Sequence, residues 1–180
     1  MICTRCSRAL AAAAPILAGG PQGIDRVWSS APHDGVARSL VGALKFRRLL
    51  PVAGLMAERM EWLAPAHLLG GAVVPVPAAP PRLRRRGFDP AGELGAALGE
   101  RLGTELTPCL ARRGAGHQLG RGRAERISRP PRIEAIADAP RSVLLVDDVL
   151  TTGATLTACA MALRGAGAKR VVALTFTRRL

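Results

Sequence analysis

Aromatic residues are scarce in this chain: two tryptophans, three phenylalanines and no tyrosine among 180 residues. Platforms on which successive bases of a single strand could stack are therefore poorly supplied. Lysine is scarcer still, with Lys45 and Lys169 alone. The chain has only four cysteines, too few and too scattered for a disulfide framework. No run approaches the roughly 18 apolar residues that a membrane span requires. Arg5 and Arg8 precede an Ala-rich stretch, but that stretch is weakly apolar and Pro15 interrupts it, so a secretory leader is not expected. His33, His67 and His117 fall in no triad or metal spacing. The expectation is a cytoplasmic protein that uses neither the membrane nor disulfides for its stability.

What is present is arginine and aliphatic residue. The chain is 48% hydrophobic, enough for one proper core, and its length suits one domain with a small appendage. Lys and Arg total 26 against 13 Asp and Glu, a net charge of +13 that favours anionic partners such as phosphorylated metabolites, nucleic acid or acidic proteins. The cations cluster at Arg82 to Arg86, at Arg112 to Arg132 and at Arg178-Arg179.

Residues 1–22 differ in texture from the rest, end near Gly19-Gly20-Pro21 and carry the pair Cys3 and Cys6. They are set apart as an appendage, leaving 23–180 as the main domain. There, a strand near Val27 to Ala31 precedes Asp34, a good helix N-cap, and Val36, Leu40, Val41 and Leu44 recur at helical spacing. Pro51 opens a second helix through Leu63, and Ala72 to Val76 reads as a buried strand. Residues 91–102 read as helix, Leu106 to Leu110 as a short strand, and 114–132 as a polar Gly- and Arg-rich loop. Ser142 to Val146 is the cleanest strand, followed by a helix over Thr155 to Arg164 and a closing strand over Val171 to Thr175. Such alternation predicts an α/β fold, a mostly parallel sheet flanked by helices, with its ligand beyond the carboxyl ends of the strands.

One segment concentrates the chemistry. Val143 to Val146 deliver Asp147 and Asp148 to the end of a buried strand, where unpaired charge is costly, so the pair must serve a polar ligand or a cation. Thr151, Thr152, Gly153, Ala154 and Thr155 then turn into a helix whose first amides and hydroxyls can surround a phosphate. Gly153 permits close backbone approach. Val76 and Pro77, followed by Arg82 and Arg86, could hold a second anionic group such as pyrophosphate.

The run Val143 to Thr155 resembles the signature of type I phosphoribosyltransferases. The resemblance implies that fold, with 5-phosphoribosyl 1-diphosphate and magnesium as ligands. Asp147 and Asp148 would hold the ribose 2- and 3-hydroxyls and stabilise the positively charged ribosyl carbon. Residues 151–155 would bind the 5-phosphate, and Val76, Pro77, Arg82 and Arg86 the pyrophosphate. Magnesium would be carried by the ligand's own oxygens and waters.

Within that family the chain is similar to the ComF group. Ala43-Leu-Lys-Phe46, Val74-Pro-Val-Pro77, Arg84-Arg-Arg-Gly-Phe-Asp89, Gln118-Leu-Gly120 and Arg126 stand in that group's order. The resemblance places Gln118, Arg121 and Arg126 on a flexible loop closing over the ligand, with Arg123 an alternative clamp. Asp89-Pro90 replaces a usual polar pair such as Asn-Gln, and Ile127-Ser128 an Asn-containing turn, which bears on acceptor recognition. The group also carries an N-terminal zinc finger; Cys3 and Cys6 resemble its second half, the first lying upstream of Met1. Zinc needs four ligands for a closed site and this pair supplies two, while Cys109 and Cys159 read as small buried hydrophobes.

The resemblance implies transfer of ribose 5-phosphate to an unidentified acceptor with loss of pyrophosphate. Nucleobase salvage is not expected, because the stacking aromatic that such members place near the end of the domain has no counterpart after Phe176. Two other readings stand beside it. One is a DNA-uptake (competence) factor that engages single-stranded DNA or a motor ATPase without turnover. The other is a regulator that keeps the diphosphate site and has lost catalysis.

Overall fold

The computed structural model of the protein describes residues 2–113 and 131–179. A five-stranded sheet has the order β1 (Ile16–Gly19), β2 (Arg26–Pro32), β7 (Arg170–Arg178), β6 (Ser142–Leu150), β3 (Ala72–Pro75). The pairs β2–β7, β7–β6 and β6–β3 are parallel, and only the edge strand β1 runs antiparallel, against β2. The expected α/β architecture is therefore the one observed.

Parallel strands are covered on both faces, which explains why Val143 to Val146 are continuously apolar and fully buried. Side chains alternate across the sheet. Leu144 and Val146 join Val172, Leu174 and Phe176 in a core closed by α2 (Gly35–Arg47), α3 (Pro51–Leu63) and α5 (Pro90–Leu102). Val143 and Leu145 join Val171 and Ala173 on the other face, covered by Leu156, Cys159 and Leu163 of α6 (Ala154–Gly165) and by Cys109 and Leu110.

Several local expectations shift. β6 does not stop at Val146 but runs to Leu150, because Asp147 and Val149 find partners in Thr175 and Thr177 of β7. The acids thus lie within the strand, and alternation sends them to opposite faces. Leu106 makes a single bridge to Val73, and the strand expected at Leu106 to Leu110 begins only at Leu110. That strand, β4 (Leu110–Arg112), pairs antiparallel with β5 (Ile133–Ala135) in a separate two-stranded ribbon. Pro108 lacks an amide hydrogen and cannot take part earlier. The Arg82 to Arg86 cluster lies on a short helix, α4 (Pro80–Arg86), with Pro80 in its first turn and Gly87 closing it at φ 76°. Asp34 occupies the N-cap of α2, but its side chain makes no capping bond.

The N-terminal residues set apart in the sequence pack against the sheet. Leu10 of α1 (Thr4–Ala12) enters the first core, β1 extends the sheet, and Arg59 of α3 donates to the carbonyls of Ala13 and Ser30 at 2.6 and 3.1 Å. No helix among the described residues is long and apolar enough to cross a membrane.

Candidate active site

Because β2, β7, β6 and β3 are mutually parallel, their carboxyl ends open on one side of the sheet, and a cavity of about 430 Å³ lies there. Its wall contains six cations, Arg38, Lys45, Arg82, Arg86, Arg112 and Arg179, against three acids, Asp89, Asp147 and Asp148. The balance suits a polyanionic ligand.

The acid pair forms the floor. Asp148 points to the α2 face, is 4% exposed, and accepts from Lys45 Nζ at 2.7 Å through Oδ1. Its Oδ2 is buried without a partner among the described residues. An orphaned carboxylate oxygen at a cavity is a vacancy in hydrogen bonding that a hydroxyl donor would fill. Asp147 points toward the α6 face; its Oδ1 accepts from the Asp148 amide at 2.8 Å. Asp147 keeps partial access to the cavity, yet the surrounding protein and the neighbouring Asp148 charge push its carboxyl well above the usual carboxylate range, against the opposing pull of Lys45.

After β6 the chain passes through Thr151 and Thr152 to Gly153, which stands at the N-cap of α6 with φ 79°. Only glycine adopts this left-handed geometry without strain. The turn leaves Thr151, Thr152 and Ala154 exposed around the first turn of α6, and Thr151 and Thr155 line the cavity. Backbone amides and hydroxyls at the start of a helix can cradle an anion.

Opposite lie the residues after β3. The Val76 amide donates to the Val146 carbonyl at 2.9 Å and Pro77 has no amide hydrogen, so these two shape the wall while the donors come from Arg82 and Arg86. Arg86 stacks 5.4 Å from the centre of the Phe46 ring, and its buried Nε has no partner. Asp89 caps α5, accepting from Ala91 N at 3.1 Å and Ala78 N at 3.3 Å, and burial pushes its carboxyl up despite these bonds. The departure from the usual polar pair at this position thus places a capping carboxylate in the cavity wall.

Sequence reasoning gave several lining residues no place in the site. His33, Arg38, Asp89, Arg112 and Arg179 come from five separate segments, and no linear motif unites them. The signal that could have pointed to His33 is its position directly after β2, at the carboxyl edge of a parallel strand. The expected closing-loop residues Gln118, Arg121 and Arg126, with Arg123 and Ile127-Ser128, lie outside the described residues.

Cys3 and Cys6 flank the first turn of α1, where the Cys6 amide and thiol stabilise the Cys3 thiolate. No group of three or more His, Cys, Asp or Glu side chains that could hold a metal occurs among the described residues. Cys109 and Cys159 are buried in the second core, and burial pushes the Cys159 thiol up to about 12.

Residues 85–180, which carry the acid pair, the threonine loop and much of the opposing wall, match the phosphoribosyl transferase domain family, and the chain belongs to it. It is similar to Competence protein ComFC of Streptococcus pneumoniae, with 33% identity over 107 residues. That match covers 58% of this chain and 47% of the relative, so the chain spans about half the length of the protein it matches. Among solved structures it is similar to an allosteric regulatory enzyme of purine biosynthesis (16% identity, TM-score 0.46, 68% of this chain and 25% of that one). A glutamine phosphoribosylpyrophosphate amidotransferase from B. subtilis gives 18% identity and TM-score 0.45, with the same coverage of each chain.

Proposed function

We propose that the protein binds 5-phosphoribosyl 1-diphosphate with magnesium and transfers ribose 5-phosphate to an acceptor, releasing pyrophosphate. The observation that carries this reading is the buried, unpartnered Oδ2 of Asp148 beside the Thr151 to Thr155 turn. A hydroxyl of a vicinal diol supplies the missing donor, and the turn lining the same cavity takes the 5-phosphate. Arg82 and Arg86 take the diphosphate by charge-assisted hydrogen bonds.

The residues fit magnesium in one manner only. No cage of protein ligands exists among the described residues, so the ion travels on the diphosphate oxygens and its own waters, as a hard cation that dehydrates reluctantly does. Carried in that way, it would supply neutralising charge to the leaving group. As the bond from the anomeric carbon to the diphosphate oxygen breaks, pyrophosphate keeps the electron pair and the acceptor's lone pair forms the new bond. Asp147 and Asp148 place negative charge near the carbon that becomes positive.

Calorimetric titration of magnesium and 5-phosphoribosyl 1-diphosphate into wild type and an Asp147→Asn/Asp148→Asn variant tests the reading. Binding confined to wild type supports it; no binding to wild type sinks it.

A second reading, a DNA-uptake factor without turnover, rests on the relative's name and the net charge of +13. It requires single-strand binding that survives the double substitution and weakens steeply with salt.

A further inference from the structure

If the diphosphate and 5-phosphate occupy the loops after β3 and β6, one part of the cavity has no assigned occupant. It lies at the ends of β2 and β7, where His33 and Arg179 line the same space as Arg38 and Gly42 of α2.

His33 is held there by two contacts. Its amide donates to the Arg178 carbonyl at 2.7 Å, and its Nδ1 lies 2.8 Å from Thr177 Oγ1. Thr177 Oγ1 in turn donates to the Asp148 carbonyl at 3.2 Å. A carbonyl can only accept and a hydroxyl has one proton, so both bonds are satisfied when Nδ1 of His33 carries the hydrogen. The neutral ring then offers Nε2 as an acceptor. Burial holds the imidazole below its usual range, reinforced by Arg179, Lys45 and Arg38 and opposed by Asp148. The field of three cations therefore acts on this ring.

Lys45 is engaged by Asp148, while Arg38 and Arg179 make no ion pair among the described residues. Between Arg38 and Lys45 on the same face of α2, Gly42 leaves a gap: a Cβ built there would meet nothing within 4 Å. Unpaired guanidinium groups beside an open recess at a walled cavity form a receptor for an anion. The recess shares about 430 Å³ with the phosphoribosyl group, which restricts the guest to a small molecule.

We propose that the acceptor docks between His33, Arg38, Gly42 and Arg179, and that it is a small molecule bearing a carboxylate or phosphate group. The proposal rests on the reading that 5-phosphoribosyl 1-diphosphate fills the remainder of the cavity.

The test uses the full chain saturated with magnesium pyrophosphate and ribose 5-phosphate, which fill the other two loops. The imidazole of His33 is followed by NMR, its signal assigned by His33→Gln. Matched probes are nicotinate against nicotinamide for the carboxylate and phenyl phosphate against phenol for the phosphate. The anionic member of at least one pair should raise the His33 titration midpoint and bind roughly tenfold or more tightly than its neutral partner, as a charge-assisted bond provides. Arg38→Gln should erase that preference. Gly42→Leu should block the probe, and Gly42→Ala, which suits a helix interior, should weaken it while keeping the fold. Equal binding of both members in both pairs overturns the proposal, as does an anion preference that survives Arg38→Gln. A response of His33 to a short single-stranded oligonucleotide but to no small anion overturns it too, in favour of nucleic acid. Failure of the transferase reading is read separately, from calorimetry of 5-phosphoribosyl 1-diphosphate on wild type.

Discussion

Lys45 Nζ sits 2.7 Å from Oδ1 of Asp148, and the other oxygen of that carboxylate is buried with no partner among the described residues. One lysine of the two in the chain is thus committed to holding the charge of a catalytic-type acid inside a parallel sheet. The pair leaves Oδ2 for the ligand. Lys45 replaced by Met removes the only ion-pair partner that Asp148 has among the described residues. Breaking a fully buried pair costs about 3–5 kcal/mol; Lys45 keeps a fifth of its side chain exposed, so a loss on the order of 2–3 kcal/mol is expected. Denaturant unfolding measures it, and Lys45→Met combined with Asp148→Asn should recover most of it.

Asp147 predicts the opposite sign. Its carboxyl titrates higher in the folded protein than in the unfolded chain, so ionisation at neutral pH disfavours the fold. No penalty exists below the unfolded value; the penalty grows as pH rises from the ordinary carboxylate range toward the raised folded one. Asp147→Asn should therefore stabilise the protein at pH 7 and raise its Tm. The gain should shrink toward zero as the pH is lowered through the carboxylate range. Thermal melts of both proteins between pH 4 and pH 8 check this, with loss of diphosphate binding at every pH.

His33 acts in the acid range. Its folded pKa is depressed, so the unfolded chain protonates first as pH falls below about 6.5. The native state then loses stability as pH drops from that value through the lower folded one. His33→Gln, which keeps a hydrogen-bonding side chain, should flatten the stability profile in that window.

Gly153 is a turn that must be left-handed. Gly153→Ala meets nothing closer than Pro21 Cγ at 3.7 Å, so any cost is backbone strain of about 1–2 kcal/mol and not a clash. Affinity for inorganic phosphate and for 5-phosphoribosyl 1-diphosphate should fall together, measured by calorimetry. Binding of pyrophosphate alone should be little changed.

Arg82→Gln and Arg86→Gln should invert that pattern, weakening pyrophosphate more than ribose 5-phosphate. Each lost charge-assisted contact is worth about 1.5–3 kcal/mol, or roughly ten- to a hundredfold in Kd. Arg86 also covers the exposed ring of Phe46, so Arg86→Lys, which keeps the charge without the planar fork, should restore little.

The parts legible in the sequence are those whose physics is local. Val143 to Val146 announce a doubly covered strand because each is apolar, and Thr151 to Thr155 announce an anion turn because consecutive amides and hydroxyls form it. Period and caps located α2, α3, α5 and α6 within a residue or two. Resemblance added the family, since motif order along the chain is itself a one-dimensional property.

Only the tertiary structure decided the rest. β6 extends to Leu150 because Thr175 and Thr177 of β7 offer a ladder, and nothing within residues 147–150 requires it. Alternation within that extension turns Asp148 toward Lys45, a partner 103 positions away, and Asp147 toward the other face. His33 and Arg179 stand at the carboxyl ends of β2 and β7, Arg38 and Asp89 on α2 and at the start of α5, and Arg112 on the separate β4–β5 ribbon, and only the packing of these elements brings them to one cavity. Side chains that converge from separate segments leave no spacing to read, so the linear chain determined the phosphate turn and the acid pair, and the packing of the sheet determined what faces them.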